Sequence, residues 1–159
     1  MITSCRISLL CLICGIGWLA QVQAQYPTRP IRFILPFPPG GGTDTMGRAI
    51  GTRLGEALGQ QIIIDNRGGG GANIGAELAA KSPPDGYTLF MMTGTHTVNV
   101  TLYRNLGYNL VRDFAPVSRL GGSTGMVPNS SSPEELGRHM HDEIANWAKV
   151  VKALDLRAD

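Results

Sequence analysis

One unit is repeated three times along the chain: a short apolar run rich in β-formers, a turn rich in glycine or threonine, then a stretch with helical spacing. The first run is Ile31-Arg32-Phe33-Ile34-Leu35, stopped by Pro36 and Pro38-Pro39. After the loop PFPPGGGTD, residues Met46, Ile50, Leu54, Ala57 and Leu58 recur at helical spacing. Thr43 or Asp44 is placed to cap that helix, and Gly59 follows its end. Ile62-Ile63-Ile64 reads as a second buried strand, RGGGGAN as a second glycine loop with Asn73 as helix cap, and residues 74–81 as a short helix halted by Pro83-Pro84. Asp85-Gly86 is a turn signal, and residues 87–92 read as a third, central strand ending at Thr93-Gly94-Thr95. Strand, turn and helix in this order predict an α/β fold with a parallel sheet. Right-handed crossovers bring every loop that follows a strand to the carboxyl edge, where open sheets of this kind bind ligands.

Beyond the third unit the pattern weakens. Residues 98–106 carry a helical turn or two, and residues 114–120 read as an exposed or edge strand containing Pro116. Residues 121–132 are mostly Gly, Ser, Asn and Pro, a linker composition. A strong helix signal follows, with Ser132 as cap, Pro133 in the first turn and Glu135 completing an S-x-x-E capping box. Leu136, Met140, Ile144, Trp147, Val151 and Leu154 form one apolar stripe along it, which must pack on something.

The first 24 residues read as an export signal. Arg6 supplies the positive start, residues 7–20 the apolar stretch, and Val22-Gln23-Ala24 the small residues of a cleavage site. Gly15, Gly17, Gln21 and Gln23 make this stretch a poor membrane span, and Leu10 and Ile13 before Cys11 and Cys14 argue against a lipid anchor. Cys5, Cys11 and Cys14 all fall inside the segment, so the exported part has no thiol and needs no disulfide. With 43% hydrophobic and 16% charged residues and a formal net charge of +2, the 159-residue chain has the composition of one globular domain. It lacks the basic excess of a nucleic-acid binder.

The loop Phe37-Pro38-Pro39-Gly40-Gly41-Gly42-Thr43-Asp44 carries the clearest chemical signal. Consecutive glycines allow close approach to the backbone, and the following helix start offers unpaired N–H groups at the positive end of its dipole. A carboxylate or phosphate would be favoured there. A tight connecting turn accounts for the same glycines. No Lys-Ser/Thr follows them, and G-x-G-x-x-G fails at both glycine loops, which disfavours nucleotides. In RGGGGAN, Arg67 is an available carboxylate partner, while the glycines also serve as connecting backbone. Thr93-Gly94-Thr95-His96-Thr97 sits at the binding edge and offers three hydroxyls and backbone N–H groups.

His139 and His141 lie about 200° apart around a helix and cannot chelate one metal. Glu135, His139 and Glu143 share a face that reads as a solvated charged stripe. No mature cysteine, no G-x-S-x-G and no partner acid for His96 point to nucleophilic catalysis, so no enzyme, metal or cofactor is called for.

The order of motifs resembles the Bug family, the TctC-like extracytoplasmic solute receptors of tripartite tricarboxylate transporters. The segments YPTRPIRFILPFPPGGGTD, LGQQIIIDNRGGGGANIGAELAAKSPPDGYTL and NLGYNLVRDFAPVSRL carry the resemblance over residues 26–120, and SSPEELGRHMHDEIANWAKVVKALDLRAD is similar to the family's C-terminal helix and ending. The resemblance implies one parallel-sheet lobe of a type II periplasmic-binding-protein-like fold (residues 25–120), an interval at 121–132, and a C-terminal helix (133–159). A second α/β domain and the returning strands would normally occupy that interval, which implies an internal deletion joined near residues 121–127. The implied site comprises Phe37, Pro39, Gly40, Gly41, Gly42, Thr43 and Asp44 with Thr93, Gly94, Thr95 and His96, holding a small carboxylate mainly by backbone groups and waters. The implied setting is the periplasm, and the implied partners are the membrane components of the transporter.

With no second lobe to close, binding is expected to be weak or absent, and uncovered strand edges favour self-association. Two other readings remain: a non-binding remnant or protein-interaction module using the 136–154 stripe, and a small exported enzyme with an anionic substrate.

Overall fold

The computed structural model describes residues 26–121 and 130–158. The export signal and most of the linker, with the inferred junction, lie outside the described residues.

Alternation of side chains on three short strands divides the core in two. Strands β1 (Ile31–Leu35), β2 (Ile62–Asn66) and β3 (Thr88–Phe90) form a parallel sheet in the order β2-β1-β3, with Phe33 opposite Ile64 on one side and Leu89 on the other. β1 is therefore the central strand among the described residues, and β3, expected to be central and longer, lies at a margin. Phe33, Leu35, Leu89 and Met91 point to one face, where Met46 and Ile50 of helix α1 (Gly42–Leu58) cover them. Phe90 and Met92 point to the other face, joining a cluster around Ala76, Tyr108, Leu110 and Met140. That cluster is built by helices α2 (Asn73–Ala80), α3 (Gly94–Leu102) and α4 (Pro133–Ala153). The second face is not apolar throughout: Arg32 of β1 pairs with Asp65 of β2, and Ile63, expected in a buried strand, is 47% exposed because β2 lies at a margin with no helix over that side among the described residues.

The face that α1 turns to the sheet consists of small residues as well as the expected apolar ones. Gly47 and Gly51 are buried, and a Cβ at Gly47 would lie 2.5 Å from Leu35 Cδ1, so the helix rides close to β1. Gly59 ends α1 in the left-handed conformation (φ 64°), as its position after the apolar pattern predicts.

Residues 114–120, expected as an edge strand, form no strand. Phe114 instead stacks on Phe90 (5.4 Å between centroids) and meets Tyr108 edge-on, filling the second core cluster. Further along, the Ser118 hydroxyl donates to the Ser131 carbonyl (2.9 Å) and the Arg119 amide donates to the Ser131 hydroxyl (3.0 Å). Pro116, which has no N–H to give to a ladder, fits this irregular path.

The capping box of α4 is formed as its sequence predicts: Ser132 accepts from the Glu135 amide (3.2 Å) and Glu135 accepts from the Ser132 amide (2.9 Å). Replacing Ser132 with Ala should cost about 1 kcal/mol of stability, read as a lower urea midpoint at unchanged slope. The stripe of α4 packs over only part of its length. Met140 and Val151 are buried and Leu136 and Ile144 half-buried, whereas Trp147 is 39% and Leu154 63% exposed. Ala158 then returns its amide to the Leu102 carbonyl (3.0 Å), fastening the tail to the end of α3. Among the described residues no helix is long and apolar enough to cross a membrane.

Candidate functional site

The turns after β1, β2 and β3 all leave the carboxyl edge of the sheet, and a chain of side-chain hydrogen bonds fixes them to one another. Asp44 is the centre of the first group. Its carboxylate accepts from the Gly40 amide (2.9 Å), from Arg48 Nε (3.0 Å) and from Asn66 Nδ2 (3.0 Å), and Asn66 also donates to the Phe37 carbonyl (3.1 Å). The Arg48 guanidinium, then the Gly40 amide, hold the Asp44 carboxyl down at about 2. Asp44 thus braces the loop from behind, and its side chain is buried.

The cap of α1 is Gly41, with no side chain bonded to the first-turn amides. Thr43 and Asp44, expected as caps, lie inside the first turn, because Asp44 reaches back to Gly40 rather than forward. Gly40, Gly41 and Gly42 are exposed, and a Cβ at any of them would meet nothing within 4 Å. The amides of Gly42 and Thr43 therefore belong to an uncapped helix start facing open space. Pro38 closes the back of this loop, lying 2.8 Å from where a Cβ on Gly68 would be.

The turn after β3 differs from expectation in kind. Thr93 is the cap of α3, so Thr93-Gly94-Thr95-His96-Thr97 is a helix start rather than a loop, and the helix expected over residues 98–106 begins earlier and ends at Leu102. Of its three hydroxyls, that of Thr97 is buried and donates to the Gly94 carbonyl (2.7 Å), and that of Thr93 lies 3.2 Å from His96 Nδ1. Gly94 and Thr95 face outward, with open space beside Gly94. His96 is fully buried behind them, its Nδ1 accepting from the Thr93 amide (3.1 Å) and its Nε2 lying 3.3 Å from the Ala72 carbonyl.

RGGGGAN is held from behind. Asn99 Nδ2 donates to the Gly71 carbonyl (2.7 Å) and to Asn73 Oδ1 (2.9 Å), which also receives the Tyr108 hydroxyl (2.8 Å). Asn73 is the first residue of α2 and not its cap. Ala72 caps in the left-handed conformation (φ 73°) after a 3-10 turn at Gly70–Ala72. Arg67 donates to Asp65 Oδ1 (2.8 Å), and Arg32 binds the same carboxylate. Burial raises the Asp65 carboxyl, but these two guanidiniums outweigh it and leave it lowered.

Asn66, Arg48 and Asn99 are the working residues that pattern reading passed over. Asn99 had a signal, since it stands one helical turn from His96 on the same side of α3. Asn66 had only its place as the polar end of an apolar strand.

Two open hollows among the described residues lie elsewhere. One of about 560 Å³ is lined by Tyr103, Arg104, Arg112 and His141, and one of about 480 Å³ lies between α1 and β2. The strand-tip edge is an open shelf, marked by its donors and not by enclosure. Among the described residues no three His, Cys, Asp or Glu side chains converge as a metal site.

The brace predicts an acid-sensitive step in stability. Because the Asp44 carboxyl titrates lower in the folded chain (about 2) than its ordinary 3.8, its contribution is complete above pH 4 and disappears as pH falls through about 2. Asp44→Asn should unfold at lower temperature than the parent at pH 7. Thermal scans from pH 5 to 2 should show the difference between the two shrinking.

Comparison with known proteins bears on this shelf. A family model described as "Tripartite tricarboxylate transporter family receptor" matches residues 46–155. BugT of Bordetella pertussis is 43% identical over 108 residues, which are 66% of this chain and 33% of that protein. A UPF0065 protein of Pseudomonas sp. strain P51 is 42% identical over 98 residues, 62% of this chain and 29% of that protein. The chain thus spans about a third of the length of the curated relatives it matches. Among solved structures, the periplasmic binding protein BugD superposes with a TM-score of 0.57 at 34% identity, over 58% of this chain and 31% of BugD. MatC from Rhodopseudomonas palustris, solved with bound malate, gives 0.56 at 39% identity, over 58% of this chain and 32% of MatC. Another R. palustris protein, solved with adipate, gives 0.56 at 46%, over 58% and 31%.

Proposed function

Because the chain belongs to the tripartite tricarboxylate transporter receptor family, we propose that its folded part is a solute-receptor lobe. It offers the first-turn amides of α1 and α3 to the carboxylate of a small organic acid in the periplasm. The observation that carries this reading is the uncapped start of α1 at Gly41, open on its outer side. It stands after the strand next to the one that leads into the exposed start of α3 at Gly94. Two helix starts with free N–H groups on neighbouring strands favour a negatively charged group between them, each dipole adding to the hydrogen bonds.

Malate and adipate, bound in two related structures, support short dicarboxylic acids as the solute class. Phe37, Pro39, Gly40 to Thr43 and Gly94 to Thr95 form the contact surface, while Asp44 and His96 act from behind it. The role is binding and delivery to the membrane components of a transporter, with no bond made or broken. A one-sided shelf leaves the ligand's far carboxylate in water, where N–H donors compete with solvent. Affinity is accordingly weak, and an internal deletion that removed the second lobe accounts for that openness. Calorimetric titration with malate, adipate and citrate tests the reading: weak saturable binding supports it, and saturable binding of nucleotides or sugar phosphates alone overturns it.

A second reading rests on a separate observation. The end of α4 leaves Trp147, Val150, Leu154 and Leu156 between 39% and 63% exposed, an apolar surface that suits an interaction module or self-association. Sedimentation velocity distinguishes the two: a monomer at tens of micromolar that binds malate removes it.

A further inference from the structure

The buried imidazole of His96 joins two of the three turns at the carboxyl edge. The Thr93 amide can only donate, so Nδ1 must accept and the ring proton sits on Nε2, aimed at the Ala72 carbonyl 3.3 Å away. One ring thereby closes the cap of α3 and holds the end of the RGGGGAN loop. Phe90 of β3 packs its ring edge-on against it (5.1 Å, 87°) and fixes its plane. The ring sits at the third helical position after the Thr93 cap, the place that Glu or Gln fills in an ordinary capping box.

We propose that His96 is a positioning residue that aligns the open amides of Gly94 and Thr95 with the neighbouring glycine loop, and that protonation at Nδ1 releases this alignment. A proton on Nδ1 would turn the acceptor of the Thr93 N–H into a donor, breaking that arm of the capping box and redirecting the ring to the Thr93 carbonyl and hydroxyl oxygens, each 3.2 Å away, so that the half-buried Thr93 amide loses its partner. Thr93 and Ala72 supply carbonyl oxygens that can accept from the charged ring, so the alignment lost on protonation is that of the Thr93 amide. β3 presents Phe90, the loop after β2 presents the Ala72 carbonyl, and α3 itself presents Thr93. The adjoining segments carry the phenols of Tyr103 and Tyr108, with Tyr108 pushed up to about 12 by burial, Glu77 on α2, and His139, His141, Asp142 and Glu143 on α4, none of them hydrogen-bonded to the ring. Arg67 at the start of that loop and Asp65 of β2 bind one another. Among the described residues no carboxylate or guanidinium is in contact with the ring. Burial accordingly holds the imidazole below its usual range, against smaller opposing effects from Thr93 and Ala72.

The consequence for solute binding rests on the receptor reading above, but the alignment itself is measurable without ligand. In the ligand-free chain, amide exchange of Thr93, corrected for intrinsic pH dependence, should lose at least tenfold of its protection as the His96 ring signal titrates, while β1 amides keep theirs. His96→Gln, which retains an acceptor and a donor but has no titration, should keep Thr93 protected and flat across the same range. His96→Leu should lose that protection at every pH. The proposal is overturned if Thr93 stays protected while the ring titrates, if β1 opens together with it, or if His96→Gln shows the same step. Where malate binds, affinity should follow the Thr93 protection curve in the parent and be pH-independent in His96→Gln. Absent binding with an intact protection step counts against the receptor reading alone.

Discussion

Gly42→Pro and Gly94→Pro should each weaken carboxylate binding by about 10- to 100-fold while leaving the chain folded. Both glycines occupy the first position of a helix, where proline's fixed φ is already the helical one and its missing N–H has no partner within the helix. The preceding residues are extended, Gly41 at φ −85° and ψ 175° and Thr93 at φ −127° and ψ 168°, the conformation that a residue before proline adopts without strain. A Cβ at either glycine meets nothing within 4 Å. The substitutions thus delete one donor each and little else. A hydrogen bond from an amide to a charged group contributes about 1.5–3 kcal/mol, which converts to the stated loss. Calorimetry with malate at fixed ionic strength reads the change, and far-ultraviolet circular dichroism verifies the fold. Thr43→Ala, which keeps its amide, should bind like the parent.

The largest effect on stability is expected from Gly75→Ala. On an open helix face this change would be favourable, since alanine gains about 1 kcal/mol over glycine in a helix interior. Here the added methyl would stand 2.8 Å from the Arg67 carbonyl oxygen and 3.1 Å from Pro36 Cα, both backbone atoms of the turns after β2 and β1. Neither can swing aside as a side-chain tip could, so α2 must move off the sheet. Overpacking of this kind costs about 1–3 kcal/mol, enough to outweigh the helix gain. Chemical unfolding should show a clear drop in midpoint for Gly75→Ala and almost none for Gly94→Ala, whose site is open. Because Pro36 and Arg67 begin the two glycine turns, the same substitution should also weaken solute binding.

The parallel sheet and its first helices were legible because the apolar runs of β1 and β3 stop at Pro36 and Thr93, and α1 and α2 carry stop signals at Gly59 and Pro83-Pro84. β1 has the bounds, and α4 the start and cap, that the residues dictate, while α4, expected to run to the end of the chain, stops at Ala153 because the tail turns back to Leu102 and Tyr103. What was not legible is the detail that depends on partners distant in sequence. Strand order could not be read from periodicity, so β3 was placed centrally although β1 holds that position. Phe114 and Pro116 had the composition of an edge strand, yet the Phe114 ring is drawn into the core by Phe90 and Tyr108 across some two dozen and half a dozen residues respectively. Asp44 had the chemistry of a helix cap, and only the folded loop reveals that its acceptors face Gly40, Arg48 and Asn66. His96 was noted for its chemistry at the binding edge, and burial turns it away from the open side and into the frame that supports it.

The central claim is that the amides at the starts of α1 and α3 meet a carboxylate, and backbone amide chemical shifts recorded during a malate titration test it most directly. The account predicts saturable, salt-sensitive shifts concentrated at Gly41 to Thr43 and at Gly94 and Thr95, with a single dissociation constant for both groups. Shifts confined to the hollow around Arg104, Arg112 and His141, or saturating at only one of the two helix starts, would contradict it.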